Sequence, residues 1–206
     1  MHNKVLSTAL ALLTASLLFA CAPDSERPTV YLLSNEWEEI SLVEADLTLF
    51  EELPVSASSL HRRGERKSEI EDFFVFSGSA GIEGYVMTSR RPGRSFPEET
   101  MLGMRQARLF HAYARQQPET LEHRLKIGIV YGFPKDHPHT VGHYTTALNG
   151  TGPGTCFLAR IGLLLADDGA GLPPAAIDTI VQVALCGDQV EAEQLVTALR
   201  ETAVKR

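Results

Sequence analysis

Asp72-Phe73-Phe74-Val75-Phe76-Ser77-Gly78-Ser79-Ala80-Gly81-Ile82-Glu83-Gly84-Tyr85-Val86-Met87-Thr88 is the stretch from which the fold is read. Two runs rich in β-branched and aromatic residues flank a short Gly/Ser segment. That arrangement predicts a β-hairpin, because Gly and Ser reverse the chain cheaply while the flanking residues suit a pleated surface. A hairpin implies antiparallel pairing from this point outward.

Upstream, Val43, Ala45, Leu47 and Leu49 alternate with Glu44, Asp46 and Thr48, the period of a half-buried strand. A shorter strand is expected over 30–33. Residues 56–71 are polar and charged, contain Gly64, and read as a loop. Downstream, residues 90–94 form a second loop. Ser95-Phe96-Pro97-Glu98 then has the spacing of a capping box. Met101, Leu102, Met104, Leu109, Phe110 and Tyr113 mark one face of a single amphipathic helix that stops before Pro118. After a short helical piece near 119–124, Leu125, Ile127, Ile129, Tyr131 and Phe133 alternate as another strand. Residues 134–154 are broken by Pro134, Pro138, Pro153 and four glycines, and read as a long irregular loop. Residues 157–166 suit either a helix or a buried strand and are taken as helix. A second helix is expected from Pro173-Pro174 to Leu185, and a third begins at Asp188, with Glu191 in capping-box position. The expected fold class is therefore α+β: an antiparallel sheet, one packed amphipathic helix, and a disulfide-pinned helical segment over 155–206.

The beginning of the chain has its own character. Lys4 precedes Val5–Ala20, which carries no charge. A charged start, a short apolar run and small residues at its end describe a secretory signal peptide, and the run is short for a bilayer-spanning helix. The run closes on Leu18-Phe19-Ala20-Cys21, which resembles the lipobox of bacterial lipoproteins. The resemblance covers only this leader. It implies cleavage before Cys21, acylation of the Cys21 sulfur, and acylation of the new amine. More than one acyl chain gives durable membrane anchoring, since each buried CH₂ contributes about 0.8 kcal/mol and one chain alone is marginal. Ala22 stands where an Asp would resemble the inner-membrane retention signal, so the resemblance implies the outer membrane, facing the periplasm. The expected organisation is a signal peptide over 1–20, a lipidated tether over 21–29 and one domain over 30–206. The tether reaches less than about 30 Å, which holds the domain against the bilayer.

Export also bears on the sulfur chemistry. With Cys21 acylated, Cys156 and Cys186 remain, and an isolated pair in an oxidising compartment forms a disulfide. In the expected helical hairpin both fall at the same end. Loss of residues 1–20 leaves 186 of the 206 residues, and loss of Lys4 takes the net charge from −7 to −8. Such a chain excludes nucleic acid as a partner, because phosphate neutralisation needs clustered cations. The basic groups His61-Arg62-Arg63 and Arg90-Arg91 read as solvated loop positions.

Chemical signatures are sparse. Asp136, His137, His139 and His143 form the densest titratable cluster, and imidazole and carboxylate groups are zinc ligands. The spacing matches no His-Glu-x-x-His motif. Ser79 lies in Gly78-Ser79-Ala80, which lacks the Gly-x-Ser-x-Gly elbow of a hydrolase. The leading expectation is a non-enzymatic lipoprotein, needing no cofactor, that binds an envelope protein or other envelope component from the membrane surface. The alternative is a periplasmic enzyme using a divalent metal such as zinc held by the 136–143 cluster.

Overall fold

The computed structural model describes residues 36–49, 56–65, 69–77, 81–116, 126–133, 140–148, 154–165, 176–188 and 190–202. The chain divides into two compact units, Met1–Val30 and Tyr31–Arg206, and every described element belongs to the second. The elements are β1 (Glu38–Ile40), β2 (Ser59–Glu65), β3 (Glu69–Ser77), β4 (Ile82–Arg90), α1 (Glu98–Met104), α2 (Ala107–Gln116), β5 (Lys126–Gly132), β6 (Thr140–Leu148), β7 (Thr155–Leu163), β8 (Thr179–Gly187) and α3 (Ala192–Arg200). A single 3₁₀ turn, Leu42–Glu44, follows β1.

The hairpin expected at 72–88 is present as β3 and β4, paired from Ile70↔Arg90 to Ser77↔Glu83. It sits inside one eight-stranded antiparallel sheet of order β1-β2-β3-β4-β8-β7-β6-β5. Two four-stranded meanders are thus joined where their last strands, β4 and β8, lie side by side.

This corrects the expected α+β class with its helical region over 155–206. Residues 155–163 and 179–187 are not a helical hairpin but the central strands β7 and β8, and only α3 is helical there. Both strands are buried on both faces. A strand covered on both sides has no polar alternation, so its apolar run looks like a buried helix. Thr179-Ile180-Val181-Gln182-Val183 carries the distinguishing signal, four β-branched residues in five.

Other boundaries moved as well. The 56–71 loop contains β2 and the start of β3, and the irregular 134–154 stretch contains β6. The single helix after Ser95 is two helices, broken at Arg105 and Gln106. Pro97, not Ser95, holds the N-cap position of α1, with no side-chain cap. The 43–49 alternation is not a strand: Val43 and Glu44 end the 3₁₀ turn, Leu47 makes an isolated bridge and Leu49 is helical. Its period nevertheless reports burial from residue 45 onward: Ala45, Leu47 and Leu49 are buried, while Val43 is 83% exposed.

Alternation along the strands sends side chains to two faces. The first face holds Leu60, Phe74, Val86, Phe157, Ile161 and Val183, covered by Ala45, Leu47 and Leu49 and by Leu195 and Leu199 of α3. The second face holds Phe73, Tyr85, Leu158 and Ala184, with Phe110 of α2 in the same cluster. Met104 of α1 packs nearby with Phe96, Ile177 and Ile180. Helices therefore lie on opposite faces of the sheet. Gly84 in β4 has φ +133°, and a Cβ there would stand 2.0 Å from the Ala184 carbonyl oxygen. Only glycine lets β4 and β8 approach this closely.

Candidate functional site

The disulfide forms between Cys156 and Cys186, with both residues buried in the sheet. The pairing is cross-strand: Cys156 of β7 lies directly opposite Cys186 of β8, with Cα atoms 3.9 Å apart. Register places them together, not the end of a helical hairpin.

Cys21 lies outside the described residues, as do Asp136, His137 and His139. His143 is described, on β6 facing α1 and α2. Its Nδ1–H donates to the Met104 carbonyl at 3.0 Å, and its ring stacks on Phe110 at 5.9 Å between centroids. Burial holds the imidazole below the ordinary histidine value of 6.5, only partly offset by the Met104 hydrogen bond. Among the described residues no three His, Cys, Asp or Glu side chains gather as a metal site.

His143 belongs to a row that crosses the second face. Successive register partners are His61, Phe73, Met87, Gln182, Arg160 and His143. Arg160 is the charged residue on β7, an interior strand two places in from β5. Above it, α1 and α2 leave a cleft of about 230 Å³, lined by Arg160, Glu99, Gly103, Met104, Leu109 and Phe110 among others. The run 157–166 is apolar apart from Arg160. A lone Arg in such a run was the available signal, since an ionised side chain at a central strand needs a polar outlet.

A charged group also sits on the first face. Arg62 makes a bidentate ion pair with Asp72, Nε to Oδ1 at 2.6 Å and Nη2 to Oδ2 at 2.7 Å. Asp72 is 3% exposed, and Asp46 approaches both Arg62 and Arg90. The His61-Arg62-Arg63 cluster is therefore strand, not solvated loop. Arg63 pairs with Glu71 and lies 4.6 Å over the Trp37 ring on the second face. These pairs hold β1, β2 and β3 together and fit a structural role.

The two sheet ends differ sharply. β1 is three residues long, two of them Glu. β5 is seven residues, Lys126-Ile127-Gly128-Ile129-Val130-Tyr131-Gly132, with one charge. Its register with β6 shifts between Ile127 and Val130, marking a bulge. The Thr145 hydroxyl donates to the Ile129 carbonyl at 2.8 Å and pins it. Ile129 is 70% exposed, Leu148 on β6 63% and Tyr131 45%. Among the described residues β5 pairs with β6 alone.

The chain matches no protein-family model, no curated protein and no solved structure. No helix among the described residues is long and apolar enough to cross a membrane.

Proposed function

We propose that this chain is an exported lipoprotein, anchored through Cys21 to the outer membrane and facing the periplasm, whose domain binds another envelope protein by strand addition at β5. The observation that carries the binding reading is the exposed apolar edge formed by Ile129, Tyr131 and Leu148. Sheet edges in monomeric proteins are blunted by charge or short length. β1 has both protections; β5 has Lys126 at one end and the bulge between Ile127 and Val130, yet it keeps Ile129 and Tyr131 exposed. An extended segment pairing with β5 would gain main-chain hydrogen bonds and bury these side chains. The cross-strand disulfide suits an oxidising compartment. The leader motif ending at Cys21 would supply an anchor that keeps the domain in the envelope, where such partners reside.

The test uses the full chain in its native envelope, with a photo-crosslinking residue in place of Ile129. A discrete adduct with a different envelope protein is expected, and Tyr131→Lys combined with Leu148→Lys should abolish it. No adduct, an adduct with a second copy of this chain, or an adduct that survives the double substitution refutes the edge reading. The anchor is checked separately. The mature N-terminal peptide should begin at Cys21 and carry acyl mass, and Cys21→Ser should move the protein out of the membrane fraction.

A further inference from the structure

We propose that the cleft between the sheet and α1–α2 binds a small organic monocarboxylate with an apolar body, its carboxylate on Arg160 and its body against Met104, Leu109 and Phe110. This goes beyond the edge-strand reading and is independent of it.

Four observations converge. The first is the space itself, about 230 Å³. It is a partly open cleft on the helix–sheet seam, wide enough to admit a small organic molecule. It lies just under the size range of drug-sized ligand pockets, which sets the ligand at the scale of a substituted phenyl ring. The second is the floor. Arg160 stands on a central strand between Gln182 and His143, and a guanidinium presents a planar fork matched to a carboxylate. The third is the wall, where Met104, Leu109 and Phe110 offer a thioether, an alkyl group and a ring to an apolar body. Glu99 also lines the cleft and adds repulsion with each negative charge a ligand carries, which favours one carboxylate over two.

The fourth is Gly103. It is the next-to-last residue of α1, where Gly is a poorer helix former than Ala. Its φ is not in the left-handed region, and a Cβ would meet only Leu109 Cδ1, at an ordinary 3.7 Å. Neither backbone conformation nor close packing demands glycine at this position. A larger side chain would instead intrude on the cleft. The His143–Met104 hydrogen bond fastens the end of α1 to β6, so the cleft is formed before any ligand arrives.

The test titrates the full chain in lipid nanodiscs with 3-phenylpropionate, against empty nanodiscs, by isothermal calorimetry. Saturable binding is expected, with no binding of 3-phenylpropylamine, which has the same body and the opposite charge. Arg160→Gln should weaken 3-phenylpropionate at least tenfold. Gly103→Leu should abolish binding while the thermal transition is retained, because it fills the cleft and leaves the guanidinium in place. Absence of saturable binding, equal binding of the amine, or undiminished affinity in Arg160→Gln overturns the proposal. Should Arg160→Gln fail to fold, Gly103→Leu decides alone, and binding that persists in it is fatal.

Discussion

Asp72 illustrates how one position carries two kinds of information. In sequence it opens an aromatic run; in the fold it is a buried carboxylate gripped at both oxygens by Arg62. Removing one partner of such a pair leaves a desolvated charge, which typically costs about 3–5 kcal/mol. Asp72→Ala should therefore lower the urea midpoint strongly, while the double change Asp72→Leu with Arg62→Met should recover most of the loss. A single substitution costing under about 1 kcal/mol would show that water screens the pair. His143 gives a pH signature. Burial favours its neutral ring, so the unfolded chain takes up the proton first as pH falls below 6.5. Native stability drops in that direction and is intact above it. Between about pH 7 and pH 5, the melting temperature of the wild type should fall more than that of His143→Gln. Parallel slopes would contradict this. Neither role could be read locally, because each depends on a neighbour distant in sequence: Arg62 is ten residues away and Met104 thirty-nine.

Strands β7 and β8 show where pattern reading fails and why. Periodicity detects an element by the contrast between its faces, and these two have none, since helices or loops cover both sides. The hairpin β3–β4 was legible because its turn is marked by Gly and Ser and its runs are rich in aromatic and β-branched residues. β6 was hidden among flanking prolines and glycines, although Thr140–Leu148 itself contains no proline. The two cysteines were legible as a pair, and the disulfide is present, but their setting depended on the strand register. Joining positions 30 residues apart constrains the unfolded chain by roughly 3–4 kcal/mol in the chain-entropy model. The double variant Cys156→Ala, Cys186→Ala should accordingly lose about 3 kcal/mol in denaturant unfolding. Because both sulfurs are buried, the folded wild type should resist mild reductant until it is partly unfolded. Full reduction without loss of stability would remove the bridge from the account of what holds β7 to β8.

The sheet as a unit is two meanders sharing the β4–β8 seam. Strands near the seam are hydrogen-bonded on both sides and covered on both faces, whereas β1 and β5 have a free side among the described residues. Local opening follows that gradient. Hydrogen exchange should be slowest in β4, β7 and β8 and fastest in β1, with β5 intermediate because α2 packs near it. Faster exchange in β8 than in β1 would place the stable core elsewhere. Partner addition at β5 should slow exchange there without altering β1. Amino-acid order alone carried the lipobox-like spelling of residues 18–21, the acidic charge, the β3–β4 hairpin and the existence of a cysteine pair, because each is a property of neighbouring residues or of composition. Folding in three dimensions decided that most of the second half is sheet, that Arg160 faces a cleft, and that Ile129 and Tyr131 are exposed on β5, the end strand of the sheet among the described residues. Those outcomes depend on which strand pairs with which, and pairing is settled by the burial of surfaces far apart in the chain.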